Sequence, residues 1–213
     1  MPPRALIQLV GDHFLPKTRD TEKKNRLLRK ALHLFARDGY AAVGVRRLAE
    51  EAGISIGMVR LHFGSKDGLR EQLDNLVIEA IQNLYDRVEI DPKNPDPQQF
   101  IQHSVEFSKV ERDVLLYLRA SLIEQSPRAS EMAARLFEIT KNWVSTFDKN
   151  KLLVDGVDKD TVASFMFYNL IGPLIIEPYS RDLFGRSVYN AKQVKLRNEL
   201  LLRAMTTGIL KCD

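Results

Sequence analysis

Residues 26–69 read RLLRKALHLFARDGYAAVGVRRLAEEAGISIGMVRLHFGSKDGL, and this stretch decides the fold. Its first part carries apolar residues at the three- and four-residue spacing of an amphipathic helix, and a second, short helix begins near Gly44. Gly53 permits the tight turn that follows, because glycine adopts a positive φ without steric cost. Ser55 can cap a third helix. Two short helices joined by such a turn predict a helix-turn-helix, whose second helix fits the major groove of DNA.

Helical spacing continues through the rest of the chain, and runs of the alternating type that strands show are almost absent. Three prolines within residues 91–97 predict a loop, Asp158 is a natural helix cap, and Pro173 predicts a kink or an early end in its helix. The chain is therefore predicted to be all-α. The expected helices cover about residues 23–38, 44–52, 55–61, 65–88, 100–109, 111–125, 127–147, 158–179 and 188–210.

Charge is distributed unevenly along the chain. Residues 1–70 carry a net charge of +7 and residues 71–213 one of −3. A basic segment on a mildly acidic body suggests that one end meets a polyanion, although a solvated surface also explains the charge. The single cysteine, Cys212, cannot form an internal disulfide, and no apolar run approaches the roughly 18 residues that span a bilayer. We therefore expect a cytoplasmic protein without a membrane segment.

The motifs in residues 34–69 resemble the N-terminal signature of the TetR family of bacterial regulators. They follow one another in order and without gaps. The matching elements are Leu34-Phe35, Gly39-Tyr40, Leu48-Ala49, Ala52-Gly53-Ile54-Ser55, His62-Phe63 and Ser65-Lys66-Asp67-Gly68-Leu69. The resemblance implies an N-terminal arm over residues 1–22, a three-helix DNA-binding domain over 23–70, and a larger helical domain over 71–213 that binds a ligand and forms a dimer.

Two positions depart from the family's usual pattern. The second helix starts at Val43-Gly44, where the family usually has a Thr or Ser whose hydroxyl could touch phosphate. Arg60 takes the place of the Tyr that the family usually has within the recognition helix. Arginine can make a forked contact to phosphate or to guanine, so we expect DNA binding with an altered preference.

Carried over position by position, the resemblance implies a DNA interface in this segment. Arg46 and Lys66 stand in the first turns of their helices and are expected to clamp phosphate, whereas Arg60 is the candidate for guanine. His62 fits a phosphate contact and a packed side chain almost equally well. The residues expected to meet DNA are Arg46, Ser55, Ile56, Gly57, Met58, Arg60, His62 and Lys66.

The larger domain is expected to supply a dimer and an effector site. An operator with two half-sites requires a two-fold homodimer, which the family forms from its last two long helices. The residues expected at this interface are Phe165, Met166, Asn169, Leu200, Leu201 and Ala204. Aromatic residues at helical spacing are more often core than pocket, yet family members usually enclose a mostly apolar cavity. The expected wall of this ligand-binding cavity is His103, Phe107, Phe137 and Trp143.

The resulting hypothesis is a dimeric regulator of transcription, chiefly a repressor that a small, largely apolar ligand releases from double-stranded DNA. Repression is the family's usual mode, and the residues themselves leave activation open. Motifs for catalysis or for metal binding are missing, so we expect no enzyme, no cofactor and no metal. For the arm, a contact with the minor groove or flanking phosphates and a disordered or locally packed extension are both open. The alternative function is a helical interaction module without specific DNA binding.

Overall fold

The computed structural model describes residues 19–87, 98–110 and 112–208. Within these ranges the backbone forms nine helices, and the all-α prediction is confirmed. None of the described helices is both long enough and apolar enough to cross a membrane. The helices are α1 (Arg19–Asp38), α2 (Val45–Ala52), α3 (Ile56–Phe63), α4 (Lys66–Asp86), α5 (Gln98–Val110), α6 (Arg112–Leu122), α7 (Pro127–Lys149), α8 (Lys159–Phe184) and α9 (Ala191–Gly208).

Local chemistry fixes several helix ends where the sequence predicts them. Gly53 ends α2 with a φ of +61°, and the Ser55 hydroxyl caps α3 by accepting from the Met58 N–H at 3.3 Å. Asp158 caps α8 in the same way, because its carboxylate accepts from the Thr161 N–H at 2.9 Å. Each cap satisfies a backbone donor that the first helical turn leaves without a partner.

Two helix limits differ from the prediction by four residues or more. α1 begins at Arg19 rather than near residue 23, so residues 19–22 of the expected arm form its first turn. α8 continues through Pro173 and Pro178 to Phe184, and the early end predicted at Pro173 is therefore wrong. An interior proline removes one hydrogen bond, which does not by itself end a helix whose other contacts persist. The rest of the arm, the loop predicted over 91–97 and the terminal cysteine lie outside the described residues.

The chain divides into two compact units. In the described residues, unit 1 comprises 19–80 and 113–132, and unit 2 comprises the parts of 81–112 and 133–208 that the structure describes. Unit 1 thus joins α1, α2, α3 and most of α4 to nearly all of α6 and the start of α7. Residues 113–132, which lie far along the chain, therefore belong to the same compact unit as the helix-turn-helix.

The core of unit 1 is small and closely packed. α1 packs against α2, and α2 packs against α3. Leu27, Phe35 and Leu48 are almost completely buried, and burial of such a side chain stabilises the fold by about 1.5–3 kcal/mol. Gly68 in the first turn of α4 lies so close to the Phe63 carbonyl oxygen that a Cβ at this position would overlap with it. The close approach of α4 to the end of α3 therefore requires glycine here.

Unit 2 contains an aromatic cluster in its interior. α9 packs against α5 in this unit. The ring of Trp143 lies 5.5 Å from that of Tyr85, 5.2 Å from that of Phe100 and 4.8 Å from that of Phe147, measured between centroids. All four side chains are buried. The edge-to-face contacts of Trp143 with Tyr85 and Phe147 add to the stabilisation that burial of apolar area provides.

Candidate nucleic-acid interface

α3 has one buried side and one outward side. Val59 and Phe63 are buried in the core of unit 1. On the other side, Ile56 and Arg60 stand one turn apart, as do Gly57 and Leu61, and all four are exposed. We call these four residues the outward strip. Leu61 is 73% exposed and Ile56 is 42% exposed, so the strip combines apolar side chains with one cation.

The backbone of the outward strip is accessible. Gly57 is exposed, and a Cβ at this position would meet only the Ser55 hydroxyl, at 3.7 Å. Ser55 is exposed, and its hydroxyl accepts the capping hydrogen bond from the Met58 N–H. The Met58 side chain is half-buried. A partner can therefore approach the first turn of α3 closely, with the Ser55 cap already formed.

Arg60 is available for a partner. Its side chain is exposed, and within the part of the chain that the structure describes its guanidinium has neither a carboxylate nor a hydrogen-bond acceptor. Arg46 is also exposed, at 85% of its side chain, and donates from Nε to Glu50 Oε1 at 3.0 Å. An exposed pair one helical turn apart contributes only about 0.3–0.5 kcal/mol, so Arg46 could exchange Glu50 for a phosphate at little cost.

Lys66 is engaged with the protein itself. Its Nζ donates to the Tyr40 carbonyl oxygen at 2.6 Å and lies 3.9 Å from the centroid of the Tyr40 ring. Burial lowers the pKa of Lys66, while the neighbouring Asp67 carboxylate acts in the opposite direction. The ammonium group therefore connects the first turn of α4 to the turn between α1 and α2.

His62 adopts the packed arrangement in this structure. Its side chain is 8% exposed, and its Nε2 lies 3.4 Å from Asp20 Oδ1 without the alignment of a hydrogen bond. The imidazole also contacts the edge of the Phe63 ring, with 6.0 Å between centroids. Of the two possibilities left open by the sequence, the unbound chain thus shows the packed side chain.

Ionic contacts orient α2 relative to α1. The Asp38 carboxylate at the end of α1 accepts from Arg37 at 2.7 Å and 2.8 Å, and from Arg47 of α2 at 2.7 Å. The hydrogen bond from Arg37, assisted by that from Arg47, lowers the pKa of Asp38 from 3.8 to about 2. In addition, Arg26 donates from Nη2 to the Gly53 carbonyl oxygen at 3.1 Å. Both ends of α2 are therefore fixed to α1.

Leu61 is the outward residue that the sequence-based prediction omits. The TetR motifs quoted above do not include this position, so the resemblance was not used to select it. Its spacing of four residues from Gly57 is the signal that could have found it, because residues one turn apart share a helical face.

In unit 2, the residues expected at a dimer interface differ in exposure. Phe165, Leu200 and Ala204 are exposed, whereas Met166 is fully buried and Leu201 is 5% exposed. Asn169 is half-buried and donates to the Phe165 carbonyl oxygen at 2.8 Å. The exposed large apolar residues of α8 recur at helical spacing and form what we call the α8 stripe. Its members are Phe165, Tyr168, Ile175, Ile176, Tyr179, Leu183 and Phe184.

The residues expected around an effector have different surroundings. Trp143 belongs to the aromatic cluster of unit 2, whereas the Phe137 ring packs against Phe167, with 5.4 Å between centroids. Phe107 is half-buried, and His103 lies 3.9 Å from the Glu106 carboxylate. Among the described residues the indole Nε1 of Trp143 is buried without a hydrogen-bond partner.

A capped, outward-facing helix that follows a glycine turn on a small three-helix core defines the helix-turn-helix class. Residues 27–73 match the family described as bacterial regulatory proteins, tetR family. The chain therefore carries the DNA-binding domain of TetR-family transcriptional regulators, and the recognition made from its motifs is confirmed.

The relatives of the chain are regulators of transcription. Over 146 residues it is 27% identical to YerO, an uncharacterised HTH-type transcriptional regulator of Bacillus subtilis. This match covers 65% of this chain and 49% of YerO. Over 86 residues it is 29% identical to the HTH-type transcriptional repressor KstR of Rhodococcus jostii, covering 40% of this chain and 37% of KstR. The matches thus span half or less of the length of these curated relatives.

The fold likeness to solved structures extends over both units. A transcriptional regulator from Rhodococcus superimposes with a TM-score of 0.69 at 16% sequence identity, covering 89% of this chain and 99% of that chain. At this identity the likeness concerns the fold. It indicates that the helical region beyond the matched DNA-binding domain has the architecture found in such regulators.

Proposed function

We propose that this chain is a dimeric, sequence-specific DNA-binding regulator of transcription in the cytoplasm, chiefly a repressor released from its operator by a small, largely apolar ligand. The observation that carries the proposal is the outward strip of α3. It presents two apolar side chains and Arg60, which has no ionic or hydrogen-bond partner in the described part of the chain, on a helix whose cap is already formed. The major groove of DNA accepts a helix of this size and offers distinct contacts for each base pair.

Each member of the strip has a matching partner in the groove. Arg60 can donate two hydrogen bonds to the O6 and N7 atoms of guanine, and Ile56 and Leu61 can contact thymine methyl groups. Gly57, Ser55 and Met58 allow the backbone of the first turn to come close. Arg46, in the first turn of α2, can bind a backbone phosphate. We assign Lys66 and His62 a supporting role, since both contact the protein's own residues in the unbound chain.

The α8 stripe supports pairing with a second copy of the chain. Residues 161–176 of α8 contain no charged side chain, and Tyr168 is 69% exposed. On α9, Leu196 and Leu200 are exposed one turn apart. A two-fold axis places the same patch on both subunits, so an apolar stripe can bury itself against its own copy. Two recognition helices held by such a dimer suit an operator with two half-sites.

The effector site is a second part of the proposal that rests on unit 2. The indole N–H of Trp143, which has no partner among the residues that the structure describes, carries a penalty of about 1–3 kcal/mol if it is left unsatisfied. An acceptor atom on a bound molecule would remove this penalty, in surroundings that are otherwise apolar and aromatic. A ligand that favours the conformation with low DNA affinity weakens DNA binding by the factor by which DNA weakens ligand binding.

Selection from a library of random 30-base-pair duplexes tests the proposal. The full chain should enrich one sequence with two inverted half-sites whose centres are about 10–10.5 base pairs, or a multiple of this, apart. Binding to this duplex should be about 10³–10⁷ times tighter than to unselected DNA at physiological salt. A failure to enrich any sequence would contradict it. The exposed Leu61 and Ile56 would then favour the helical interaction module, with α3 as its contact surface.

A further inference from the structure

A cluster of charged and aromatic side chains joins the helix-turn-helix to the later segment of unit 1. Its first part surrounds Tyr40, in the turn between α1 and α2. The Tyr40 hydroxyl donates to Asp67 at 2.6 Å, and its carbonyl oxygen accepts from Lys66, as described above. The guanidinium carbon of Arg70 lies 4.4 Å from the centroid of the same ring. Three residues near the start of α4, Lys66, Asp67 and Arg70, therefore contact the Tyr40 turn.

Arg70 connects Tyr40 to a residue far along the sequence. Its Nη2 donates to Glu124 Oε2 at 2.6 Å, in the turn between α6 and α7. The side chain of Arg70 is only 6% exposed, so its guanidinium is shielded from water, whereas the side chain of Glu124 is 27% exposed and reaches the surface. The Nε of Arg70 is buried without a hydrogen-bond partner among the described residues, which leaves the guanidinium strongly dependent on Glu124.

Asp74 makes a second connection one turn further along α4. Its carboxylate is buried, and it accepts from the Tyr117 hydroxyl at 2.6 Å and from Arg128 Nη1 at 3.3 Å. Burial, followed by the adjacent Asp74 charge, raises the pKa of Tyr117 well above its ordinary value, so this hydroxyl keeps its proton and remains a donor. α6 and α7 are therefore both tied to the same face of α4.

The cluster balances its charges without external ions. Lys66, Arg70 and Arg128 supply three positive charges, and Asp67, Asp74 and Glu124 supply three negative charges. Removing Glu124 would leave the buried Arg70 guanidinium without its carboxylate, which is more costly than the loss of an exposed pair. A carboxylate that lies outside the matched DNA-binding domain is therefore connected, through Arg70, to the Tyr40 turn immediately before α2.

We propose that Glu124 is a positioning residue for DNA binding: through Arg70 it holds the Tyr40 turn, and with it α2 and α3, in the arrangement that fits the duplex. The inference rests on the proposed function and names a residue of the same site that neither the TetR signature nor the family match includes. Glu124 touches no DNA in this scheme. It acts by keeping Arg70 stacked on Tyr40.

Glu124→Gln tests the inference, because it removes the charge and keeps the shape. The probe is the duplex that the wild-type chain selects, and its Kd is measured at a temperature where circular dichroism shows both proteins folded. We expect Kd to rise on the order of tenfold. The dependence of log Kd on log salt should keep its slope, since no phosphate contact is lost. If the contact of Glu124 were important only for stability, its loss would lower Tm and leave Kd and the salt slope unchanged.

The matched control is Glu51→Gln. Glu51 pairs with Lys30 at 3.6 Å in the same unit, but both side chains are nearly half exposed, so Kd should stay at the wild-type value. Action through Arg70 predicts that Glu124→Gln has no further effect in an Arg70→Met background. Should Glu124→Gln not fold, Arg70→Lys keeps the charge, loses the forked geometry and should raise Kd severalfold.

The outcomes separate the inference from the proposed function. A wild-type chain that selects no duplex removes the proposed function, and this inference with it. A wild-type chain that binds, together with a folded Glu124→Gln or Arg70→Lys protein of unchanged Kd, overturns the inference alone. Equal losses from Glu124→Gln with and without Arg70→Met would also overturn it, because Glu124 would then not act through Arg70.

Discussion

Two exposed apolar surfaces of this protein differ in the charges that surround them. The outward strip of α3 places Ile56 and Leu61 beside Arg60, which has no ionic or hydrogen-bond partner among the described residues. The α8 stripe has more apolar side chains, among them Tyr168, and residues 161–176, which contain its first four members, include no charged residue. A cation among apolar groups suits a polyanion with methyl groups in its groove, whereas the uncharged first half of the α8 stripe suits another apolar surface.

Exposure alone does not identify the partner of an apolar surface. Both surfaces would count as apolar patches in an inventory of exposed residues. The arginine separates them, together with the cap that leaves the first turn of α3 accessible. Changes to each surface should therefore have different signatures, which the following predictions use.

The largest effect should follow from disrupting the α8 stripe. Tyr168→Glu combined with Ile176→Glu places two charges where a second copy would bury them, so the dimer should dissociate. Because two half-sites are then no longer bound together, affinity for the selected duplex should fall by about 10²–10⁴-fold. Sedimentation equilibrium and gel shift measure the two effects. Asn142→Asp, an exposed change on α7, is the control. Retained dimers with full affinity would exclude the stripe as the interface.

Arg60→Ala should have the next largest effect. If Arg60 reads guanine, binding should weaken by about 1–3 kcal/mol and discrimination should relax at one base pair of each half-site. A phosphate contact would instead weaken all sequences uniformly and reduce the salt slope by about one. Competition gel shifts with single-base variants of the selected duplex distinguish the two. Wild-type binding by this variant would place Arg60 outside the interface.

The apolar part of the outward strip predicts a smaller effect that depends on methyl groups. Replacing thymine by deoxyuridine in the selected half-sites removes one methyl group per base, with an expected loss of up to about 0.8 kcal/mol for a contacted position. Leu61→Ala should abolish the sensitivity of at least one such position. Titrations of the wild type and Leu61→Ala with the thymine and deoxyuridine duplexes give the coupling free energy between Leu61 and the methyl group. An equal loss in the two proteins would show that Leu61 does not contact that methyl group.

Gly44→Ser should stabilise unit 1 slightly. Gly44 caps α2 with φ −83° and ψ 158° and makes no side-chain hydrogen bond, and a Cβ at this position would meet only open space. A serine hydroxyl can accept from the first turn of α2, which adds a few tenths of a kcal/mol over glycine. Chemical denaturation measures this gain. A decrease in stability would mean that the cap geometry does not admit a side chain.

The smallest effect concerns acid stability. The pKa of Asp38 is about 2 in the folded chain, below its ordinary 3.8, so its contribution is present above about pH 4 and is lost as the pH falls toward 2. The difference in unfolding free energy between the wild type and Asp38→Asn should therefore shrink over this range. A difference that stays constant from pH 6 to pH 2 would show that the contacts of Asp38 with Arg37 and Arg47 do not stabilise the fold.

Much of unit 1 could be predicted because its signals are local. The Gly53 turn and the Ser55 cap each depend on a few neighbouring residues, as does the Asp158 cap in unit 2, and the structure contains all three. Lys66 shows the limit of this reasoning, because its carbonyl partner lies 26 residues earlier, in the Tyr40 turn. Its position in a first turn predicted a phosphate contact, and no local rule reveals the competing acceptor.

Unit 2 was harder to predict in detail because helical spacing does not say which apolar side is covered. Met166 and Phe165 are neighbours in the sequence, yet one is fully buried and the other is exposed. The Arg70–Glu124 pair of unit 1 could not be predicted either, since 54 residues separate its members. The long-range packing that brings α6 and α7 against α4 has no signature in either segment alone.

Guanine methylation interference on the selected duplex tests most directly whether α3 enters the major groove twice. Methyl groups at N7 project into this groove, so we expect interference in two clusters whose centres are about one helical turn, or a whole number of turns, apart. One guanine in each cluster should lose its effect with Arg60→Ala. Interference in a single cluster, or binding that tolerates methylation at every guanine and varies only with salt, would contradict a pair of recognition helices in the groove.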